Sequence, residues 1–191
     1  NVYIVLEYYP NGDLITYFKD RELLEEDDLQ QLFLKIVLGV ERLHRLSIIH
    51  RDIKMDNILL DRNFEPVISD FGISSFYDPD KPIMDTGGTP AYLAPEVIKA
   101  AGGICFKTDV WGLGVLLYAL AFGYVPFEGD DIQYLYKAIM IGRFHFPHRR
   151  NCSNELVDLI SRMIVVDVRR RYGIADVLKH PWMAKAAARH A

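Results

Sequence analysis

From Val110 to Phe127 the sequence carries no charged side chain, and Asp109 stands directly before that run. Such a stretch has two homes, a membrane or the centre of a globular core. Its apolar part is shorter than the roughly 20 residues a spanning helix needs, and Gly112, Gly114, Gly123 and Pro126 interrupt it. A helix apolar on all sides is also what the middle of a soluble domain requires. The run therefore predicts a central buried helix, with a carboxylate at its start that is either an N-cap or a buried anchor.

Around this helix the pattern is mainly helical. Asp13 to about Asp20 predicts a short helix. Leu29, Leu32, Phe33, Ile36, Val40 and Leu43 recur at spacings of three and four, which predicts a long helix from about Glu26 to Leu46. Glu26, Asp27 and Asp28 suit its positive N-terminal end. Further helices are predicted over 109–123, 130–141, 153–164 with Ser153 as N-cap, and 174–180, stopped by Pro181. Strands are few. Residues 2–8 read as a buried strand closed by the turn Pro10-Asn11-Gly12, and 58–60 and 66–68 flank the turn Asp61-Arg62-Asn63. Residues 71–95, rich in Gly, Pro, Ser and Asp, form a loop of the length that is usually functional or disordered.

Composition narrows the classes further. Half of the 191 residues are apolar and a quarter charged, which excludes a disordered, collagen-like or disulfide-framework chain. A net charge of −4 argues against non-specific binding of nucleic acid or an anionic membrane. Cys105 and Cys152 are too few and too isolated for a disulfide framework or a zinc site, and they suit a reduced, intracellular setting.

Three motifs carry the chemistry. His50-Arg51-Asp52-Ile53-Lys54-Met55-Asp56-Asn57 falls in a loop between the long helix and the small hairpin, Asp70-Phe71-Gly72 ends the second hairpin strand, and Ala94-Pro95-Glu96 closes the long loop. Alone each is weak, since a short tripeptide in a turn occurs by chance. All three in this order, at loop positions and with the right flanking elements, are specific. From Val2 to about Trp182 the sequence resembles the large, C-terminal lobe of a eukaryotic protein kinase.

That resemblance implies an α+β, protein-kinase-like fold: a mainly α-helical large lobe plus the hinge strand, with the small lobe largely missing. Residues 1–13 would be the last small-lobe strand and hinge, and 14–191 the large lobe. The implied activity is serine/threonine protein kinase, transferring the γ-phosphate of ATP, with Mg2+, to protein hydroxyls. Phosphoryl transfer asks a protein for positioning and charge neutralisation more than covalent work. By resemblance Asp52 meets the substrate hydroxyl and takes its proton. Asn57 and Asp70 are the oxygen donors for magnesium, a hard cation, and Lys54 neutralises charge on the transferred group. Lys54, together with Gly88-Thr89-Pro90-Ala91-Tyr92-Leu93-Ala94-Pro95-Glu96, matches the serine/threonine class. There the threonine matching Thr89 bonds the catalytic Asp and Lys.

The other implied roles are these. Leu6 sits at the gatekeeper position behind the adenine, the backbone of Glu7 and Tyr9 bonds the adenine edge, Asp13 faces the ribose, and Leu59 floors the pocket; Leu6 and Leu59 can also be plain core packing, and both readings can hold together. His50 and Phe71 match a stacked spine of core side chains, and for Asp109 the resemblance favours the anchor. Glu96 pairs with Arg171, although Val168 stands where the family usually has proline and Arg170 is adjacent. Arg51 is the arginine that pairs with an activation-loop phosphate. Counting back from Glu96, Asp85 and Thr86 occupy common phosphosite positions, so Thr86 is expected as the site with Asp85 as a standing partial substitute, or both are solvated loop residues. Ser74 and Ser75 are weaker candidates. Asp13 and Asp56 suggest a mild preference for basic residues upstream of the acceptor, weakened by Ala119 where strongly basophilic relatives carry glutamate.

The C-terminal half, with FGYVPFEGDD and the ending KHPWM, resembles the calmodulin-dependent kinase group, and DTGGTPAYLAPE a branch of kinase-activating kinases. The implied partners are protein substrates, other kinases among them, and an upstream activating kinase, with no nucleic acid and no membrane, in the cytoplasm or nucleus. The chain contains no glycine-rich phosphate-covering loop or strand lysine. It is therefore expected to be a fragment, inactive in isolation. The alternative is a catalytically inactive interaction module made of the C-lobe alone.

Overall fold

The computed structural model describes residues 3–19, 21–100, 103–147 and 152–187. The uncharged run forms the axis of the molecule. Helix Phe106–Phe122 is buried at every residue from Thr108 onward, and Gly123, in the left-handed conformation at φ 84°, ends it. Each buried Leu or Val on this axis stabilises the fold by about 1.5–3 kcal/mol relative to exposure. Close packing against helix Asn154–Met163 depends on Gly114: a Cβ there would stand 2.8 Å from Ile164 and 2.9 Å from Met163. Among the described residues no helix is long and apolar enough to cross a membrane.

In chain order the helices are α1 (Leu14–Phe18), α2 (Glu26–Arg45), α3 (Pro95–Ile98), α4 (Phe106–Phe122), α5 (Ile132–Ile141), α6 (Asn154–Met163), α7 (Ile174–Lys179) and α8 (Pro181–Ala187). The strands are β1 (Ile48–Ile49), β2 (Ile58–Leu60), β3 (Pro66–Ile68) and β4 (Ser75–Phe76). Single 3-10 turns span Met55–Asn57 and Pro90–Tyr92. The long helix α2 buries Leu29, Phe33, Ile36, Val37 and Val40 and packs against α4, α7 and α8. β2 and β3 form the antiparallel hairpin, with Ile58 opposite Ile68 and Leu60 opposite Pro66.

Three elements depart from the sequence reading. Residues 3–8 form no strand, and Tyr3, Ile4, Val5 and Leu6 are 79–94% exposed. A strand is held by a ladder to a neighbour, and no described residue supplies one. Val2, where that expected strand begins, lies outside the described residues, as does Asp20 at the expected end of α1. Pro181 does more than stop α7: it is the first residue of α8, where a missing N–H costs nothing. The long loop contains β4, which pairs with β1 through Ile48–Phe76 and Ile49–Ser75.

Glu26 ties the helical layer together. Its carboxylate accepts the Ser153 backbone N–H at 2.9 Å, the Ser153 hydroxyl, and the Trp182 indole N–H at 2.8 Å. The residue that suited one helix dipole thus joins the starts of α2, α6 and α8.

Candidate active site

The loop between β1 and β2 is held from beneath by Asp109. Cys105 is the N-cap of α4, so the Asp109 side chain is free to act as a buried anchor. Its Oδ1 accepts the backbone N–H of Arg51 at 2.8 Å, and its Oδ2 accepts that of His50 at 3.0 Å. His44, in the last turn of α2, places Nε2 2.8 Å from Oδ2. Arg51 has φ 73°, a left-handed conformation that a non-glycine residue adopts only when its surroundings over-determine it. Two backbone N–H groups donating to one buried carboxylate provide that determination.

The bend presents Asp52. Its Oδ1 accepts from the Thr89 backbone N–H at 3.0 Å and the Thr89 hydroxyl at 2.8 Å. Oδ2 accepts from the Asn57 amide at 3.0 Å and lies 3.2 Å from Lys54 Nζ. Lys54 also donates to the Thr89 hydroxyl at 2.6 Å. Burial pushes the Asp52 carboxyl up, but the hydrogen bonds from Thr89 and Lys54, with the lysine charge, outweigh it and hold the group below its ordinary value. The result is a carboxylate ionised at neutral pH, with a cation beside it.

Asn57 turns its amide nitrogen to Asp52, which leaves the amide oxygen as its remaining donor atom. Its backbone carbonyl accepts the Ser69 N–H at 2.9 Å, so Asp70 follows directly on the strand register next to it. Asp70 is exposed, at φ 59°, with the Gly72 N–H on its Oδ1 at 3.1 Å. His50 is fully buried; its Nε2 lies 2.9 Å from the Ser69 carbonyl and its ring stands 5.0 Å from that of Phe71. Among the described residues no group of three His, Cys, Asp or Glu side chains converges as a metal cage. A carboxylate and an amide oxygen carried at the adjoining ends of β2 and β3 are hard donors that fit magnesium, which takes one or two protein ligands and fills its shell with phosphate oxygens and waters.

The sequence model of the protein kinase domain matches residues 1–183. The chain belongs to that family. It is 39% identical over 182 residues to the serine/threonine-protein kinase SIK1 of Mus musculus, covering 95% of this chain and 23% of the relative. To the carbon catabolite-derepressing protein kinase of Secale cereale it is 37% identical over 190 residues, covering 100% of the chain and 38% of the relative. To the maternal embryonic leucine zipper kinase of Xenopus tropicalis it is 37% identical over 184 residues, covering 95% and 28%. The chain thus spans about a quarter to two fifths of the length of these relatives.

In this kinase domain the long loop is clasped at two points. Arg51, whose side chain is 3% exposed, donates from Nη1 to the Ile73 carbonyl at 3.0 Å and to the Ser75 hydroxyl at 3.1 Å. From Nη2 it donates to the Asp85 carbonyl at 2.8 Å and to the Asp85 carboxylate at 3.0 Å. The Gly87 N–H and the Arg51 charge hold the Asp85 carboxyl below its ordinary value. Thr86 is exposed, while Ser74 donates its hydroxyl to the Phe71 carbonyl at 2.8 Å. At the far end Glu96 meets Arg171 in a buried bidentate pair at 2.7 and 2.8 Å, and Thr108 donates to the same carboxylate at 2.9 Å. Arg170 is exposed. His44, Ser75 in its bond to Arg51, and Thr108 escape the sequence reading; a basic residue type in the last turn of α2 is a signal that His44 shares with Arg42 and Arg45.

The residues expected around the nucleotide are only partly assembled. Leu6 is exposed, and Glu7 accepts the Tyr9 hydroxyl at 2.9 Å. Glu7 and Tyr9 line a small cleft with Asp61, Arg62 and Asn63. Asp13 caps α1, accepting the Thr16 N–H at 2.6 Å, and forms a bridge with Leu59 on β2. A larger cleft of about 640 Å³ opens beside the Met55–Asn57 turn, lined by Ile15, Phe18, Met55, Tyr92, Ala119 and Val125 among others. Burial pushes the Tyr92 hydroxyl up to about 12.

Proposed function

We propose that this kinase domain transfers the γ-phosphoryl group of ATP to serine and threonine hydroxyls of protein substrates. The observation that carries the reading is the Asp52–Thr89–Lys54–Asn57 cluster, an ionised carboxylate held by two elements far apart in the chain. Asp52 accepts the proton as the substrate oxygen forms its bond to the γ-phosphorus and the bond to the β-phosphate oxygen breaks, releasing ADP. Lys54 stands as a point charge for the transferred group. Asn57 and Asp70 would hold magnesium, whose charge screens the phosphates when bound.

Substrate contact is assigned to the cleft beside Tyr92. Its lining is largely apolar, which supports apolar residues near the acceptor; Lys19 on that lining opposes the basic preference that Asp56, exposed on the neighbouring catalytic-loop turn, would favour. Membership of the family supports protein substrates in general, and other kinases among them are part of the proposal.

The test uses the full-length protein and labelled ATP with a peptide library of serine and threonine acceptors. Transfer that falls about 10²–10⁴-fold on Asp52→Asn, with folding unchanged, is the expected result, the size of a lost general base. Equal transfer by Asp52→Asn and wild type would overturn it.

A further inference from the structure

We propose that Asp85 is a positioning residue that stands in place of an activation-loop phosphate, so that catalysis requires no phosphorylation of residues 71–95. The proposal rests on the kinase reading above and names how that site is regulated.

The Arg51 guanidinium is nearly sealed from water. A cation in that setting demands a compensating charge, because its desolvation is repaid only by a close, well-bonded anion. Among the described residues Asp85 is the carboxylate within ion-pair distance of it; Ile73 and Ser75 supply neutral oxygens. The carboxylate is also pre-set, since its other oxygen accepts the Gly87 N–H at 3.1 Å.

The clasp is coupled to the reaction centre by connectivity. Arg51 and Asp52 are neighbours in the chain, and Asp85 lies four residues before Thr89, which bonds Asp52 through its N–H and its hydroxyl. Two contacts, Arg51–Asp85 and Asp52–Thr89, therefore close one ring of backbone around the acceptor position. Releasing the first loosens the second.

The donor count excludes the usual supplement. A guanidinium has five N–H groups. Each Nη makes two contacts, and Nε is buried without an acceptor. A phosphate on Thr86 finds both outward nitrogens engaged and has to displace Asp85 to reach them.

The experiment takes full-length protein treated with a broad phosphatase. It measures transfer from labelled ATP to the same peptide library, and follows hydrogen exchange over residues 77–88. Dephosphorylated wild type and Thr86→Ala are expected to keep kcat within about twofold. Asp85→Asn should lower kcat at least about tenfold, a loss of one charge-assisted clasp, with the KM for ATP little changed and exchange over 77–88 faster. Asp85→Glu should restore most of both. Loss of activity on phosphatase treatment, or full activity and unchanged exchange in Asp85→Asn, overturns the proposal. If wild type and Asp52→Asn are equally inactive, the kinase reading has failed by itself; exchange over 77–88 then decides alone whether Asp85 holds the loop.

Discussion

The two ion pairs that clasp the long loop are opposite in kind. Glu96–Arg171 is buried on both sides, bidentate, and further tied by Thr108 and by the Lys107 carbonyl at 2.8 Å. Arg51–Asp85 has one partner sealed and the other 62% exposed. Breaking the first leaves an uncompensated charge inside the protein whichever partner goes; breaking the second frees Asp85 to water and leaves Arg51 with the neutral oxygens of Ile73, Ser75 and the Asp85 carbonyl. The end of the loop is therefore architecture, and its middle is adjustable. That difference makes residues 73–89, rather than Glu96, the part of the loop that can yield.

The sharpest way to break this contrast is Arg171→Ala. It strands Glu96 and should cost about 3–5 kcal/mol, the usual result of removing one member of a buried pair. A shift in denaturant midpoint equivalent to less than about 1 kcal/mol would make the two clasps alike. Next comes Asp109→Asn, which removes the charge that serves two backbone N–H groups and His44. A loss of roughly 2 kcal/mol is expected, measured the same way. It should be accompanied by reduced phosphate transfer, because Arg51 and Asp52 lie on the bend it supports.

The smallest effect concerns pH. Asp52 titrates below its ordinary value of about 3.9. A depressed carboxyl contributes stability above its unfolded pKa and loses it as pH falls through the folded one. Below about pH 4 the wild type should therefore lose stability faster than Asp52→Asn, by a modest margin since the side chain keeps some solvent contact. Thermal melts of both proteins across pH 5 to about pH 2.5 would show it. Parallel curves would place the Asp52 contacts outside the folded ensemble.

Much of this molecule is legible in the chain. The periodicity of α2 and the charge-free run of α4 announce themselves, because amphipathic spacing and uniform apolarity report burial directly. β2 and β3 are legible through the turn between them. β1 and β4 are not, since two residues each show no alternation. Residues 3–8 carry a strong strand composition without a ladder, and composition alone pairs with nothing. In the site, the motifs fix which groups are present. They say nothing of His44 or Thr108, whose residue types have many ordinary uses.

What the sequence by itself determined is the inventory: the order of Asp52, Lys54, Asn57 and Asp70, the long helices and the hairpin around them, and the family. The resemblance implied the partnerships, and tertiary structure decided them. Arg171 rather than Arg170 meets Glu96 across 75 positions, Asp109 anchors a loop 58 positions away, and Arg51 reaches Asp85 across 34. The physical reason is range. Propensity, capping and periodicity act over a turn or two of chain, whereas a buried charge finds its partner only through the packing that excludes water around both.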